Sequence, residues 1–279
     1  MNEPETYLRA LGKFGDDAID LGRAALACAA LDHPEKNVGG YLAHLDDIAA
    51  ALGERVGSAG RDSTADAQAV CLSGTLAGRF GYSGDRHSYE DMQNADLMRV
   101  IDRRKGLPVA LGILYLHAGR TQGLRLTGLN FPGHFIIRLA AAGSAVIIDP
   151  FDGGAVLEAA DLRKLLRETQ GEGAELRPEV YAPVSARDVL LRLQNNILGR
   201  SVQEGDWGRA RDIIARMVWI APDRAGLHYE QGNILARLDH LSAATGAFET
   251  CLELARGAQE WRLATRAAQA LDQVRARLH

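Results

Sequence analysis

The run from Leu107 to Leu116 (LPVALGILYL) is apolar nearly all round. A helix without a solvent face is a buried helix, so this run is the central helix of its domain. Pro108 suits its first turn, where the missing N–H would have had no intrahelical partner. The chain then takes on a strand pattern. Leu124 to Leu129, His134 to Leu139 and Ala145 to Ile148 alternate or run apolar, and only Ala141-Ala142-Gly143-Ser144 separates the last two. So short a link makes those two strands an antiparallel hairpin. The middle of the chain is therefore α+β, one buried helix against a small antiparallel sheet.

The flanks read as helical. Leu21, Ala24, Ala25 and Cys28 recur at helical spacing, as do Leu42, Leu45, Ile48 and Leu52. Asp62-Ser63-Thr64 is placed to cap a third helix running through Val70 and Leu72 to Leu76. Gly81 to Asn94 is polar and reads as a loop. Asn94 would cap a short helix over Leu97, Met98 and Ile101, ending at the basic stretch Arg103-Arg104-Lys105-Gly106. Ala159 to Thr169 is one more helix.

From about Ser185 the pattern is helical to the last residue, with an internal repeat. Ala210 and Ala244 stand 34 residues apart, Pro222 follows the first by twelve, and Gly232 precedes the second by twelve. Small residues at those places let antiparallel helices approach closely, and Pro closes a unit. The period resembles that of the tetratricopeptide repeat. Gly205-Asp206-Trp207 and Leu238-Asp239-His240-Leu241 fit the turns inside the two units, and Trp261 to Leu278 would cap the array. Three domains follow: a helical region over 1–90 that packs on the core, the core over 91–180, and the helical array over 185–279.

Composition excludes some classes of function. At 279 residues and 47% hydrophobic content the chain can bury a sizeable core. A net charge of −4 gives no electrostatic reason to expect nucleic acid or an anionic membrane as partner. Cys28, Cys71 and Cys251 are far apart, form no CxxC pair and favour a reducing cytoplasm over a disulfide framework or zinc site. No apolar run approaches the roughly 20 residues that span a bilayer. Gly39-Gly40 and Gly153-Gly154 lack the strand-to-helix setting of phosphate-binding loops, so no cofactor is expected.

The chemistry, if any, centres on His134 and Asp149. They lie fifteen residues apart across a tight reversal, which can bring both side chains to one edge of the sheet, facing the N-terminus of the buried helix. In a Cys-His-Asp hydrolase or acyltransferase the thiol sits at that N-terminus, where the dipole and the imidazole favour the thiolate. This chain has Pro108 there. Three readings stay open: a relic site, a rebuilt site in which His134 is a general base oriented by Asp149, and a structural pair with Asp149 starting the turn at Pro150. His87 and Ser88 in the preceding loop, with the amide of Asn94, are candidate binding groups if that loop folds over the site. His87, His134 and Asp149 show no metal-ligand spacing, so no metal is expected.

The string G-x-P…G-L…PGHF…IDPF resembles the papain/transglutaminase-like core of bacterial SirB-type proteins, over roughly residues 35–275 and most strongly from Asn94 to Asp152. That resemblance implies a helical N-terminal segment and C-terminal tetratricopeptide repeats flanking the core. It also implies a Cys opening the central helix fifteen residues before a closing Gly. Counting back from Gly123 reaches Pro108, while His134 and Asp149 match the His and Asp of the triad. The expectation is a non-catalytic cytoplasmic module that takes a protein or peptide partner on its repeats and in the groove of the relic site.

Overall fold

The structure, a computed structural model, describes residues 3–60 and 62–278. The chain divides into two compact units, Asp16–Leu193, and Met1–Gly15 together with Gln194–His279.

In the first unit the helices begin where the sequence offers a side-chain acceptor. Asp20 caps α2 (Leu21–Ala30) through the Arg23 amide, and Asn37 caps α3 (Val38–Ala59) through that of Gly39. Thr64 caps α4 (Ala65–Ser73). The α-helix stops there instead of running to Leu76, and a π-helical turn, Gly74–Arg79, takes over. The stretch read as a loop holds a two-residue strand, β1 (Ser83–Gly84), and a 3-10 turn, Met92–Ala95. Asp96, not Asn94, caps α5 (Leu97–Arg103), because the Asn94 side chain is committed elsewhere. Arg104 then takes a left-handed φ of 59°, and β2 (Lys105–Gly106) pairs in parallel with β1.

The central helix α6 (Pro108–Thr121) is buried along nearly its whole length, as its composition requires. It packs against a four-stranded antiparallel sheet in sequence order: β3 (Arg125–Leu129), β4 (Ile136–Ala141), β5 (Ser144–Asp149) and β6 (Ala155–Leu157). Ala142 and Gly143 carry φ of 47° and 78°, the two left-handed residues that a tight hairpin turn needs. Asp149 ends β5 as expected. His134 does not open a strand: β4 begins two residues later, because Pro132 and the left-handed Gly133 make a turn that holds His134 at the sheet edge. Helix α7 (Ala159–Gln170) covers Leu129, Phe131 and Ile136 with Leu162 and Leu166. Burying each such side chain is worth about 1.5–3 kcal/mol.

The second unit contains α9 (Trp207–Ile220), α10 (Ala225–Arg237), α11 (Leu241–Gly257) and α12 (Trp261–Leu278), and α8 (Ala186–Glu204) runs into it. Both intra-unit turns fall where the repeat pattern put them. Small residues act as expected: a Cβ on Gly232 would come within 2.6 Å of the Phe248 ring, and Ala244 is fully buried. The first helix, α1 (Glu3–Leu11), packs on α9 rather than joining the other N-terminal helices on the core. The reason is local: Arg9 stacks over the Trp219 ring at 4.0 Å, and Gly12 lets the chain approach the Trp219 carbonyl closely.

Candidate functional site

His134 and Asp149 meet. Nε2 of the imidazole lies 2.9 Å from each carboxylate oxygen, and both side chains are about nine-tenths buried. A carboxylate only accepts, so Nε2 carries a proton, and in the neutral ring Nδ1 then keeps the lone pair. Nδ1 has no hydrogen-bond partner among the described residues. The carboxylate is itself fixed, since the Phe151 amide donates to Asp149 Oδ1 at 2.9 Å. The Phe151 ring stands edge-on to the imidazole at 5.7 Å. This is the arrangement of a general base and its orienting acid, with the basic nitrogen turned away from the carboxylate.

Helix α6 meets the chain next to this edge through its second turn. A Cβ on Gly112, one turn after Pro108, would lie 2.4 Å from the Phe135 ring, so the second turn of the helix rests on the residue that follows His134. Pro108 itself is the first helical residue and is buried. It has no ionisable atom and no N–H. Thiolate chemistry has no source at that position.

The preceding loop does fold onto the neighbourhood. Gly84 lies against the Phe151 ring, Tyr89 meets it edge-on at 5.9 Å, and Arg86 stands over it while pairing with Asp152 at 2.8 Å. The loop is built on buried Asp85, which accepts from the amides of His87 and Ser88 and from Arg103. The Ser88 amide does most to hold the Asp85 carboxyl below the usual carboxylate range, with Arg103 adding to it against burial. Asn94 is a strut of the same loop, donating to the Ser88 carbonyl and accepting from Arg103. The side chains of His87 and Ser88 are exposed and make no hydrogen bond to His134 or Asp149. Among the described residues no three His, Cys, Asp or Glu side chains group as metal ligands. A cavity of about 400 Å³ lies elsewhere, lined by Gln68, Gln122, Arg125 and Ala140, and shares no residue with the pair.

Two further residues stand at the site: Tyr115, which the sequence places too far into the buried helix to replace position 108, and Arg192, which the sequence reading does not reach. The Tyr115 hydroxyl is buried next to Gly154 without a hydrogen-bond partner among the described residues; burial and the nearby Asp149 charge both push its phenol up. Arg192 on α8 donates to the carbonyls of Phe131 and His134. Arg192 gives no signal in a helix of mixed polarity.

With this geometry in place, comparison with known proteins settles the family. Residues 40–195 match the transglutaminase-like superfamily. The chain belongs to it. Residues 197–279 match the tetratricopeptide repeat, so a transglutaminase-like core is followed by a helical repeat array. A UPF0162 protein of Xylella fastidiosa (strain Temecula1) is 31% identical over 179 residues, 63% of this chain and 64% of that protein. A UPF0162 protein of Vibrio cholerae serotype O1 is 33% identical over 164 residues, 58% of this chain and 59% of that protein. The F-box only protein 21 of Homo sapiens is 28% identical over 163 residues, 56% of this chain and 26% of that protein. The chain thus spans less than two thirds of the length of these relatives. No solved structure matches the transglutaminase-like chain. Among the described residues no helix is long and apolar enough to cross a membrane.

Proposed function

We propose that this protein is an interaction module in which a transglutaminase-like domain has lost acyl transfer and the repeats take a protein or peptide partner. The observation that carries this reading is Pro108 as the first residue of the buried helix, in a domain that keeps the His134–Asp149 pair. An acyl-enzyme needs a nucleophile at the helix start, and Pro supplies none. The repeat array supports the second half, since stacked helix pairs expose an extended surface suited to a partner helix or peptide. A cytoplasmic setting fits three buried cysteines far apart in the sequence. Kinship with SirB-type proteins belongs to the same proposal.

One observation favours a second reading. His134 presents Nδ1 as an unengaged base while Asp149 holds Nε2 from both oxygens. That would serve a hydrolase in which His134 activates water directly.

Hydrolysis of activated esters and amides separates the two. The wild-type chain should be no faster than His134→Ala, and Pro108→Cys should gain a turnover that Pro108→Cys with His134→Ala lacks. A wild-type rate that falls about 100-fold or more in His134→Ala would overturn the non-catalytic reading in favour of the second. For the interaction half, co-purification with the full chain is compared with residues 16–193 alone. Identical partners on both would sink it.

A further inference from the structure

The turn that carries His134 holds itself together poorly. Between β3 and β4 the chain passes through Asn130, Phe131, Pro132, Gly133, His134 and Phe135. Pro132 has no N–H to give. Gly133 sits at φ 67°, with the Thr169 side chain 2.9 Å from where a Cβ would be, so no other residue fits there. Within the turn His134 N–H reaches the Phe131 carbonyl only at 3.3 Å. From outside, the Asn130 N–H donates to the Ala182 carbonyl at 2.9 Å, and the support nearest His134 comes from one side chain. Nη2 of Arg192 donates to the His134 carbonyl at 2.6 Å and to the Phe131 carbonyl at 2.9 Å. Nη1 reaches Asn130 Oδ1 at 3.4 Å, and the guanidinium stands 5.8 Å from the centre of the Phe135 ring. Four of the six turn residues are thus gripped by a planar donor group that no single-point cation reproduces.

We propose that Arg192 is the positioning residue for His134. The imidazole has two handles. Asp149 holds its ring at Nε2, and Arg192 holds the backbone from which the ring projects. Both are needed, because a carboxylate that accepts one N–H through two oxygens leaves the ring free to rock. The guanidinium fixes the carbonyl on the other side of the Cα and so fixes the direction of the Cα–Cβ bond. Hydrogen bonds from a charged donor to half-buried carbonyls are the strong kind, and losing them leaves those carbonyls short of a partner. The proposal goes beyond the functional reading above and holds whether the site binds, turns over or does neither. It places control of His134 on the first half of α8, residues 186–193: whatever displaces that segment releases the imidazole.

The test uses the full chain with ¹⁵N-labelled histidine. Ring ¹⁵N shifts report the tautomer of His134, and exchange of its Nε2–H with solvent reports how often the ring leaves Asp149. In Arg192→Met, which keeps the stem and removes every donor, the single Nε2–H tautomer should give way to an average of two. Exchange should rise by about tenfold or more, the equivalent of one charge-assisted hydrogen bond. Arg192→Lys, with one ammonium within reach of the two carbonyls, should lie between the methionine variant and wild type. His117, read in the same spectra, should be unchanged, which separates positioning from general loosening. Wild-type tautomer and exchange in both variants overturn the proposal. Should Arg192→Met not fold, Arg192→Lys decides alone: faster exchange at His134 with His117 unmoved is the expected result, and wild-type exchange overturns it.

Discussion

The unit that contains α6 holds three histidine–aspartate pairs, His33–Asp96 among them, and two of the three differ in every respect that matters for chemistry. At the sheet edge His134 gives Nε2 to both oxygens of a carboxylate that is nine-tenths buried. On α6 itself, His117 meets Asp20 through Nδ1 at 2.9 Å, and that carboxylate is about half exposed because it also caps α2. The unengaged nitrogens differ as well. His117 Nε2 is buried with no hydrogen-bond partner among the described residues. A pairing of residue types is therefore a poor mark of function. His134–Asp149 ties the turn before β4 to the end of β5 at the sheet edge, while His117–Asp20 fastens the first buried helix to the central one.

The largest expected difference lies in the two carboxylates. Asp149→Ala strands two donors, His134 Nε2–H and the Phe151 N–H, in a place that water reaches poorly. Each unmet buried group costs about 1–3 kcal/mol, so unfolding in urea should show a loss of about 3 kcal/mol. Asp20→Ala removes a cap whose surroundings are wet, and about 1 kcal/mol is expected. Equal losses from the two variants would break the comparison, since they would mean that both pairs act as the same kind of structural tie.

Between these two in size comes Gly22→Ala. A Cβ there would lie 2.8 Å from the His117 ring and 2.8 Å from a methyl of Leu45. Neither neighbour gives way easily, because the ring is tied to Asp20 and Leu45 is buried. Overpacking of this kind costs about 1–3 kcal/mol, which should outweigh the gain from placing Ala in a helix. A variant as stable as wild type, by the same urea measurement, would show that the His117 ring can move and that its pairing with Asp20 is loose.

Legibility in the sequence followed the same division. The buried helix, the hairpin at Ala142-Gly143 and the meeting of His134 with Asp149 were readable because each rests on local pattern: period, turn chemistry and a short loop. The repeat turns at Gly205 and Asp239 were readable for the same reason. What the pattern missed depends on partners far along the chain. Ser83–Gly84 pairs with Lys105–Gly106, a ladder too short to show any period. Asp20 and His117 are 97 residues apart, and Arg192 and His134 are 58. His134 also sits just outside its strand, because Pro132-Gly133 bends the chain before the apolar alternation begins. That detail is what leaves its carbonyl to Arg192 instead of to a neighbouring strand.

The smallest expected effect is the dependence of the Asp20 tie on pH. Burial by itself would raise the pKa of its carboxyl. The hydrogen bond from His117, and then the amides of Arg23 and Gly22, outweigh it, so the group titrates below its ordinary value. A carboxyl whose folded value lies below its unfolded one, about 3.9, stabilises fully above that value and loses the contribution as pH falls through the folded value. Asp20→Asn keeps a capping oxygen and removes only the charge. It should therefore be slightly less stable than wild type at pH 6, with the gap closing as the pH is taken to 3. A gap that stays constant between those pH values would mean that the geometry of the cap, and not the charge on Asp20, is what holds His117 in place.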